Sequence, residues 1–304
     1  MISYSAVIPV KDEEGSLPIL HERLKKVFTK LGKPYEVIFV DDGSTDNSVA
    51  TMQRLAKRDK HLTLITFRAN FGKSAALAAG LKKAQGEIVI MLDADLQDDP
   101  DEIPTLIKKL DEGYDFVNGW RKKRADSFSK KLSSFLFNKG TSFISGVHLH
   151  DFNCGLKVFK NEVADELYLH GELHRFIPVL AAKSKFKVTE LPVLHHPRKY
   201  GKSKYGFGRS WKGILDLFTT IFISNYMAKP AHFFGSIGMI FFTVGFVMDA
   251  YVTYIKITTG TTQAKIPLLL AGILLIILGV QLLSIGLIAE MIAYYFYKRA
   301  KSDL

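Results

Sequence analysis

The chain has 304 residues, 47% of them hydrophobic and 23% charged, with a formal net charge of +11. That balance is ordinary for a protein with a real core, and the single cysteine, Cys154, excludes an intrachain disulfide and fits a reducing compartment. The positive charge raises nucleic acid as a partner, but it is not spread as a helical stripe. It gathers in RKKRADSFSKK (121–131) and RKYGKSKYGFGRSWK (198–212), which suit anionic lipid headgroups or phosphates better, so no nucleic acid is expected.

In chain order, Tyr4–Val10 reads as a short apolar strand ending in the polar Lys11-Asp12-Glu13-Glu14. The opening MISYSAVIPVKDEE has neither a basic region nor a long apolar stretch, so no signal peptide is expected and the soluble part is expected in the cytosol. Leu17, Leu20, Leu24, Val27, Phe28 and Leu31 have helical spacing over 17–31. Tyr35–Val40 is a second strand, ending in DDGSTDNS, with Asp46 or Asn47 as the N-cap of the next helix. Leu62–Phe67 is a third strand, followed by the small-residue helix SAALAAGLKKA (74–84), and Ile88–Leu92 is a fourth. Further on, 115–118 reads as a strand and 128–144 as a helix.

Alternating strands and helices with near-continuous apolar strands predict an α/β fold with a doubly wound, mostly parallel sheet. Ligands bind such sheets beyond the carboxyl ends of the strands. Three strand ends carry acids there: Asp12 and Glu14, Asp41 and Asp42, and Asp93 and Asp95.

The C-terminal part is different. Residues 231–255 hold a single acid, Asp249, and one histidine, His232, while the 24 residues 266–289 carry no charge. At ~1.5 Å per residue each can cross a ~30 Å hydrocarbon core as a helix. Two transmembrane helices follow, with Asp249 and Glu290 at or near their ends. GRSWKGILDLFTTIFISNYMAKP (208–230) alternates basic, aromatic and aliphatic residues and is expected to form an amphipathic helix region in the membrane interface. The expected organisation is a cytoplasmic catalytic domain over 1–207, the interface region, and a two-helix hairpin over 231–304. The basic residues before the first span and the tail Lys298-Arg299-Ala300-Lys301 would lie inside, leaving only Lys256 and Lys265 in the outer loop.

For chemistry, Asp93-Ala94-Asp95 places two carboxylates on one side of an extended segment. Hard oxygen ligands of this kind suit Mg²⁺ or Mn²⁺, which commonly completes its shell with substrate phosphate oxygens. GKS at 72–74 is not an ATPase phosphate loop, because that motif needs glycine at position 67, which is Phe67. His148, His150 and Cys154 lack the paired spacing of a zinc site, and no basic partner marks Cys154 as a nucleophile.

The chain resembles the polyprenyl-phosphate glycosyltransferases, the dolichyl-phosphate-mannose-synthase-like branch of glycosyltransferase family 2. The resemblance rests on AVIPVKDEEGSL, VDDGSTDNS, RANFGKSAALAAGL, MLDADLQDDP, VNGWRKKRAD, HDFNCGLKVF, GELHRFIP, PRKYGKSKYGFGR and KPAHFFGSIG, in order from residue 6 to about 238. It implies a GT-A fold, a nucleotide-sugar donor and a polyprenyl-phosphate acceptor at the membrane. Carried over by position, Pro9, Val10, Asp12, Glu14, Asp42 and Asp93 would hold the nucleotide, and Asp93, Asp95 and Gln97 the metal. Arg121, Arg198, Ser203 and Lys204 would grip the acceptor phosphate, and Asp151 stands where a general base is often assigned. A lipid monophosphate with a second pKa of ~6 is already a nucleophile at pH 7, so Asp151 is expected to position the acceptor or a cation. The family more often reads PVYNEE where this chain has PVKDEE, so Lys11-Asp12 departs from it. The absence of a QxxRW segment argues for transfer of a single sugar, with UDP-hexose or UDP-N-acetylhexosamine favoured over GDP-mannose. A non-catalytic nucleotide-sugar-binding subunit would be expected to lose its metal-site acids, and they are present. A homo-oligomer is compatible with the sequence.

Overall fold

The computed structural model describes residues 2–122, 128–169, 171–197, 230–262 and 265–302. The chain divides into two compact units, Met1–Thr220 and Ile221–Leu304. The expected interface region over 208–230 lies outside the described residues except for Pro230.

The first unit is built on a seven-stranded sheet in the order β3-β2-β1-β4-β6-β5-β7. Strands β1 (Tyr4–Val10), β2 (Tyr35–Asp41), β3 (Leu62–Thr66) and β4 (Ile88–Met91) run parallel, joined by α1 (Leu17–Leu31), α2 (Ser48–Ala56) and α3 (Lys73–Lys83). After α4 (Ile103–Asp111) come β5 (Phe116–Trp120), α5 (Phe128–Ser145) and β6 (Lys157–Lys160). The short α6 (Asn161–Asp165) and α7 (Ile177–Lys183) precede β7 (Val188–Pro192). β6 is antiparallel to both β4 and β5, whereas β5 and β7 are parallel. The sheet is therefore mostly parallel, as expected, with one reversed strand. KVFK was not legible as a strand because lysines at both ends leave only two apolar residues, with no run to mark it.

The apolar stripe expected on α1 is buried: Leu17, Leu20, Leu24, Val27 and Phe28 pack beneath Ile8 and Phe39. Phe28 stacks on Tyr4 and Tyr35, with centroids 6.1 and 4.8 Å away. Each such side chain contributes on the order of 1.5–3 kcal/mol. Pro18 lies in the first turn of α1, and Gly32, at φ +67°, closes the helix in the left-handed conformation that glycine tolerates best.

β1 and β4 are neighbours whose outgoing connections lead to opposite sides of the strand order. A crevice opens at such a switch point beyond the carboxyl ends. Because β6 is reversed, its first residue, Lys157, is opposite Met91 of β4 and Asn118 of β5. The loop before β6 thus arrives at the same edge as the loops after β1, β2 and β4.

The second unit pairs α8 (Pro230–Thr259) with α9 (Ile266–Ser302). Within them, 230–259 and 266–295 have mean hydropathies of 1.7 and 2.7, and only 11% of each apolar window is buried within the protein. A soluble core helix would be mostly covered, so both are candidate membrane spans. Glycines let the two backbones approach: a Cβ on Gly238 would meet the Gly279 carbonyl at 2.8 Å, and one on Gly279 the Gly238 carbonyl at 2.7 Å. Glu290 accepts the Ala231 backbone N–H at 3.1 Å, tying the near end of the hairpin.

On the first unit, buried Asp59 joins α1 to the start of β3. It accepts from the His61 backbone at 2.9 Å and lies 2.8 Å from the His61 ring and 3.0 Å from the His21 ring. Burial opposes its charge, but the His61 and His21 contacts hold it below the usual carboxylate range. A depressed folded-state pKa contributes stability above the unfolded value of ~3.9 and loses it as pH falls through the folded one. Asp59→Asn is therefore expected to lower stability at pH 7 and to flatten the loss of stability on acidification below about pH 4, measured by denaturant unfolding across pH.

Candidate active site

The loops after β1 and β2 are laced together. Asp12, at φ +50°, donates its backbone N–H to Ser44 Oγ at 2.9 Å, and its carboxylate accepts from the Thr45 backbone at 2.7 Å. Glu14 accepts from the Asn47 backbone at 3.0 Å, and Ser48 Oγ receives the Glu13 N–H at 2.8 Å. Asp41 folds the DDGS turn by accepting from Gly43 and Ser44. Asp42 reaches the next loop, accepting from Phe71 at 2.7 Å and Gly72 at 3.1 Å. Gly43 is required here, because its φ is +66° and a Cβ would meet the Ala69 carbonyl carbon at 2.5 Å. Of the residues expected to hold a nucleotide, Asp12, Glu14 and Asp42 thus shape the loops at the rim, while Pro9 and Val10 end β1 beneath them.

Beyond β4, Leu96 at φ +59° turns the chain so that Asp95 accepts from the Gln97 backbone at 3.1 Å. Asp98 pairs as a β-bridge with His195, and the His196 N–H donates to the Gln97 carbonyl at 2.8 Å. His196 also lies 2.7 Å from Asp99, whose other oxygen takes Arg23. Asp101 contacts the same Arg23 at 2.9 Å. Among the described residues no group of three or more His, Cys, Asp or Glu is gathered for a metal. The donor set expected for the cation is two carboxylates and an amide, from Asp93, Asp95 and Gln97. Its all-oxygen chemistry, within one five-residue turn, fits a hard divalent ion.

A pocket opens beside this turn, lined by Lys73, Asp93, Asn153, Gly155, Lys157 and His174 among others. Lys73 Nζ is 2.5 Å from Asp93 Oδ1. Burial opposes ionisation of Asp93, yet Lys73, with Lys157 further off, keeps its carboxyl below the usual range. His174 is brought in by Ser74, whose Oγ accepts the His174 backbone N–H at 3.1 Å and lies 2.9 Å from Nδ1. Burial, then the charges of Lys73 and Arg175, push its imidazole down to about 2, so it is neutral. Gly155 is wedged between Asp93 and Asp98, and a Cβ there would lie 2.9 Å from Asp93 Cγ. Burial and Asp98 push the Cys154 thiol far up, which leaves it an inert core group.

In the loops after β5 and before β6, Arg121 and Asp151 form a bidentate pair, Nε to Oδ2 at 2.7 Å and Nη2 to Oδ1 at 2.9 Å. Asp151 is buried and also accepts from the Asn153 N–H at 3.1 Å. Asn118 on β5 anchors the Asp151 carbonyl. Burial disfavours charge on Arg121, but Asp151 overrides it and holds the guanidinium protonated well above its ordinary value. His150 stacks on Trp120 at 4.2 Å and is fixed by Glu190.

The structure therefore brings Asp93, Asp95, Gln97, Asp151 and Arg121 to one edge of the sheet, with Asp12, Glu14 and Asp42 on its loops. Arg198, Ser203 and Lys204 lie outside the described residues. Lys73 and His174 were missed from the sequence as site residues. Both stand inside quoted motifs, RANFGKSAALAAGL and GELHRFIP, but neither spacing betrays a partner 20 or 100 residues away.

Acids and lysines thus gather at the carboxyl ends of this sheet, the edge where such folds bind their ligands. The model of the family described as glycosyl transferase family 2 matches residues 5–168, and the chain belongs to that family and is a glycosyltransferase. Its curated relatives include dodecaprenyl-phosphate galacturonate synthase of Rhizobium johnstonii, 36% identical over 98% of this chain and 89% of the relative. Another is the undecaprenyl-phosphate 4-deoxy-4-formamido-L-arabinose transferase of Proteus mirabilis, 35% identical over 95% of this chain and 87% of the relative. Among solved structures, glucosyl-3-phosphoglycerate synthase of Mycobacterium tuberculosis with Mn²⁺, UDP and product superposes with a TM-score of 0.58 at 15% identity, covering 73% of this chain and 80% of that one. That likeness shows the fold, which is of the GT-A type.

Gly155→Ala is expected to displace Asp93 or Asp98 at a cost of ~1–3 kcal/mol. It should lower kcat/KM for the donor more than it lowers the melting temperature would explain, as steady-state kinetics beside thermal unfolding will show.

Proposed function

We propose that this enzyme transfers one sugar from a nucleotide sugar to a polyprenyl phosphate, undecaprenyl or dolichyl, at the cytoplasmic membrane face. One observation carries the reading: a carboxylate turn and a half-buried arginine paired with Asp151 stand at the same edge of the sheet, in a chain aligned almost end to end with relatives named for polyprenyl-phosphate transfer. A phosphate oxygen of the acceptor attacks the anomeric carbon, the bond from that carbon to the nucleoside diphosphate breaks, and the configuration inverts. The diphosphate leaves with the electron pair. A Mg²⁺ or Mn²⁺ bound by Asp93, Asp95 and Gln97 would offset the charge developing on that leaving group.

The protein's own residues supply the geometry. The rim built by Asp12, Glu14 and Asp42 frames the nucleotide. Arg121 meets the acceptor phosphate through the N–H groups that do not face Asp151, and its fork suits a tetrahedral dianion. Arg198, Ser203 and Lys204 complete that grip. Asp151 has both oxygens on Arg121, so it orients and neutralises a phosphate-binding group. No base is needed for an acceptor already ionised at pH 7. The donor is read as UDP-hexose or UDP-N-acetylhexosamine, and the relatives' names widen the panel to galacturonate and 4-deoxy-4-formamido-L-arabinose. The 231–304 hairpin would hold the enzyme beside its lipid, with the C-terminus on the same side as the catalytic unit.

Purified enzyme given undecaprenyl phosphate, Mn²⁺ and a panel of UDP-sugars and GDP-mannose is expected to form one glycolipid. Failure with every donor would overturn the enzymatic reading. In the same assay Asp95→Ala should abolish turnover. Asp151→Asn should act mainly by raising KM for the lipid phosphate, and a fall in kcat approaching the ~10²–10⁴-fold of a lost general base would instead make it the base.

A further inference from the structure

Lys157 opens β6, and the reversal of that strand delivers it to the carboxyl edge between Met91 and Asn118. The residue is 3% exposed. Its ammonium donates to the Cys154 carbonyl and forms no ion pair with a carboxylate among the described residues. An ammonium has three N–H donors, so the carbonyl leaves two unmatched. A buried cation with so little compensation is costly unless something pairs with it. Burial, reinforced by Lys73, holds its pKa below the ordinary lysine range.

The surroundings point to what pairs with it. The pocket it lines holds a second lysine, Lys73, but only one acid, Asp93, which already faces Lys73 at 2.5 Å. His174 is neutral, and Asn153 and Gly155 bring no charge. Gly155 lets the loop lie against Asp93, whose Cγ a Cβ would meet at 2.9 Å. The pocket is therefore built with one cation more than its own residues match.

We propose that Lys157 is a donor-binding residue, which together with Lys73 forms a two-lysine subsite beside Asp93 for an anionic oxygen of the nucleotide sugar. That oxygen belongs either to the β-phosphate or to the carboxylate of a uronic sugar. The inference rests on the nucleotide-sugar reading above and adds the group that reads the donor's charge beside Asp93.

The test is calorimetric binding of UMP, UDP, UDP-glucose and UDP-galacturonate to the full-length protein in detergent at fixed Mn²⁺, for the wild type, Lys157→Met and Lys157→Arg. If the β-phosphate is the partner, Lys157→Met weakens UDP and both sugars roughly tenfold or more, the weight of a hydrogen bond to a charged group, and leaves UMP nearly unchanged. If the sugar carboxylate is the partner, only UDP-galacturonate weakens. In either case Lys157→Arg recovers much of the loss. Unchanged binding of all four ligands to Lys157→Met would overturn the subsite. So would equal weakening of all four, UMP included, in both variants, since that reports a structural lysine. If UDP binding shows the predicted pattern while no donor yields glycolipid, the functional reading fails and the subsite stands.

Discussion

The carboxylates at the strand ends hold one another's loops, and the rest of the site depends on that lacing. Asp12 and Glu14 after β1 take backbone N–H groups of the loop after β2. Asp42 after β2 takes those of the loop before α3, and Lys73 at the start of α3 takes Asp93 after β4. Each parallel strand end is thereby tied to another through a charge-assisted contact, which is about twice as strong as a neutral one. Broken in any one place, the rim loses the register of the next loop. A nucleotide would meet a frame already in position, so less of its binding free energy is lost to ordering loops.

A wholly parallel sheet could not have produced the other half of the site. Parallel strands present only their carboxyl ends at the binding edge, and the groups there come from outgoing loops. Reversing β6 brings an incoming loop, 151–156, to that edge and starts its strand at Lys157. Asp151 and Lys157 are thus the two ends of one short loop, one orienting an arginine and the other standing beside Asp93. Gly155 between them keeps the loop pressed against Asp93 and Asp98. The Arg121 pair and the pocket beside Asp93 are therefore separated by a few residues of a single loop.

The parallel half was legible because apolar runs of four to seven residues alternate with helical stripes, and α1 falls on the residues its periodicity marks. The acids were legible as strand-end outliers in a basic chain. Their actual partners were not. Asp93 reads as a metal ligand from its DxD setting and as a nucleotide contact from the resemblance, and only the fold sets Lys73 against it. Arg121 reads as a phosphate clamp, yet half its fork faces Asp151, thirty residues away. Long-range pairing of this kind leaves no period in the sequence, and β6 (KVFK) and β7 (VTELP) carry charged residues where an apolar run would mark a strand.

The turn expected to hold the cation is also tied to the segment that leads toward the expected acceptor loop. His196 donates its N–H to the Gln97 carbonyl, its ring meets Asp99, and Asp98 bridges to His195. Arg23 of α1 anchors the same cluster through Asp99 and Asp101. A shift of Gln97 on binding a cation would thus be passed directly to the backbone at 195–197. The acids of DLQDDPD that look like spare polarity beyond the metal turn have a structural purpose. They fasten the turn after β4 to the backbone at 195–196 and to α1, so that these three segments are placed as one connected piece.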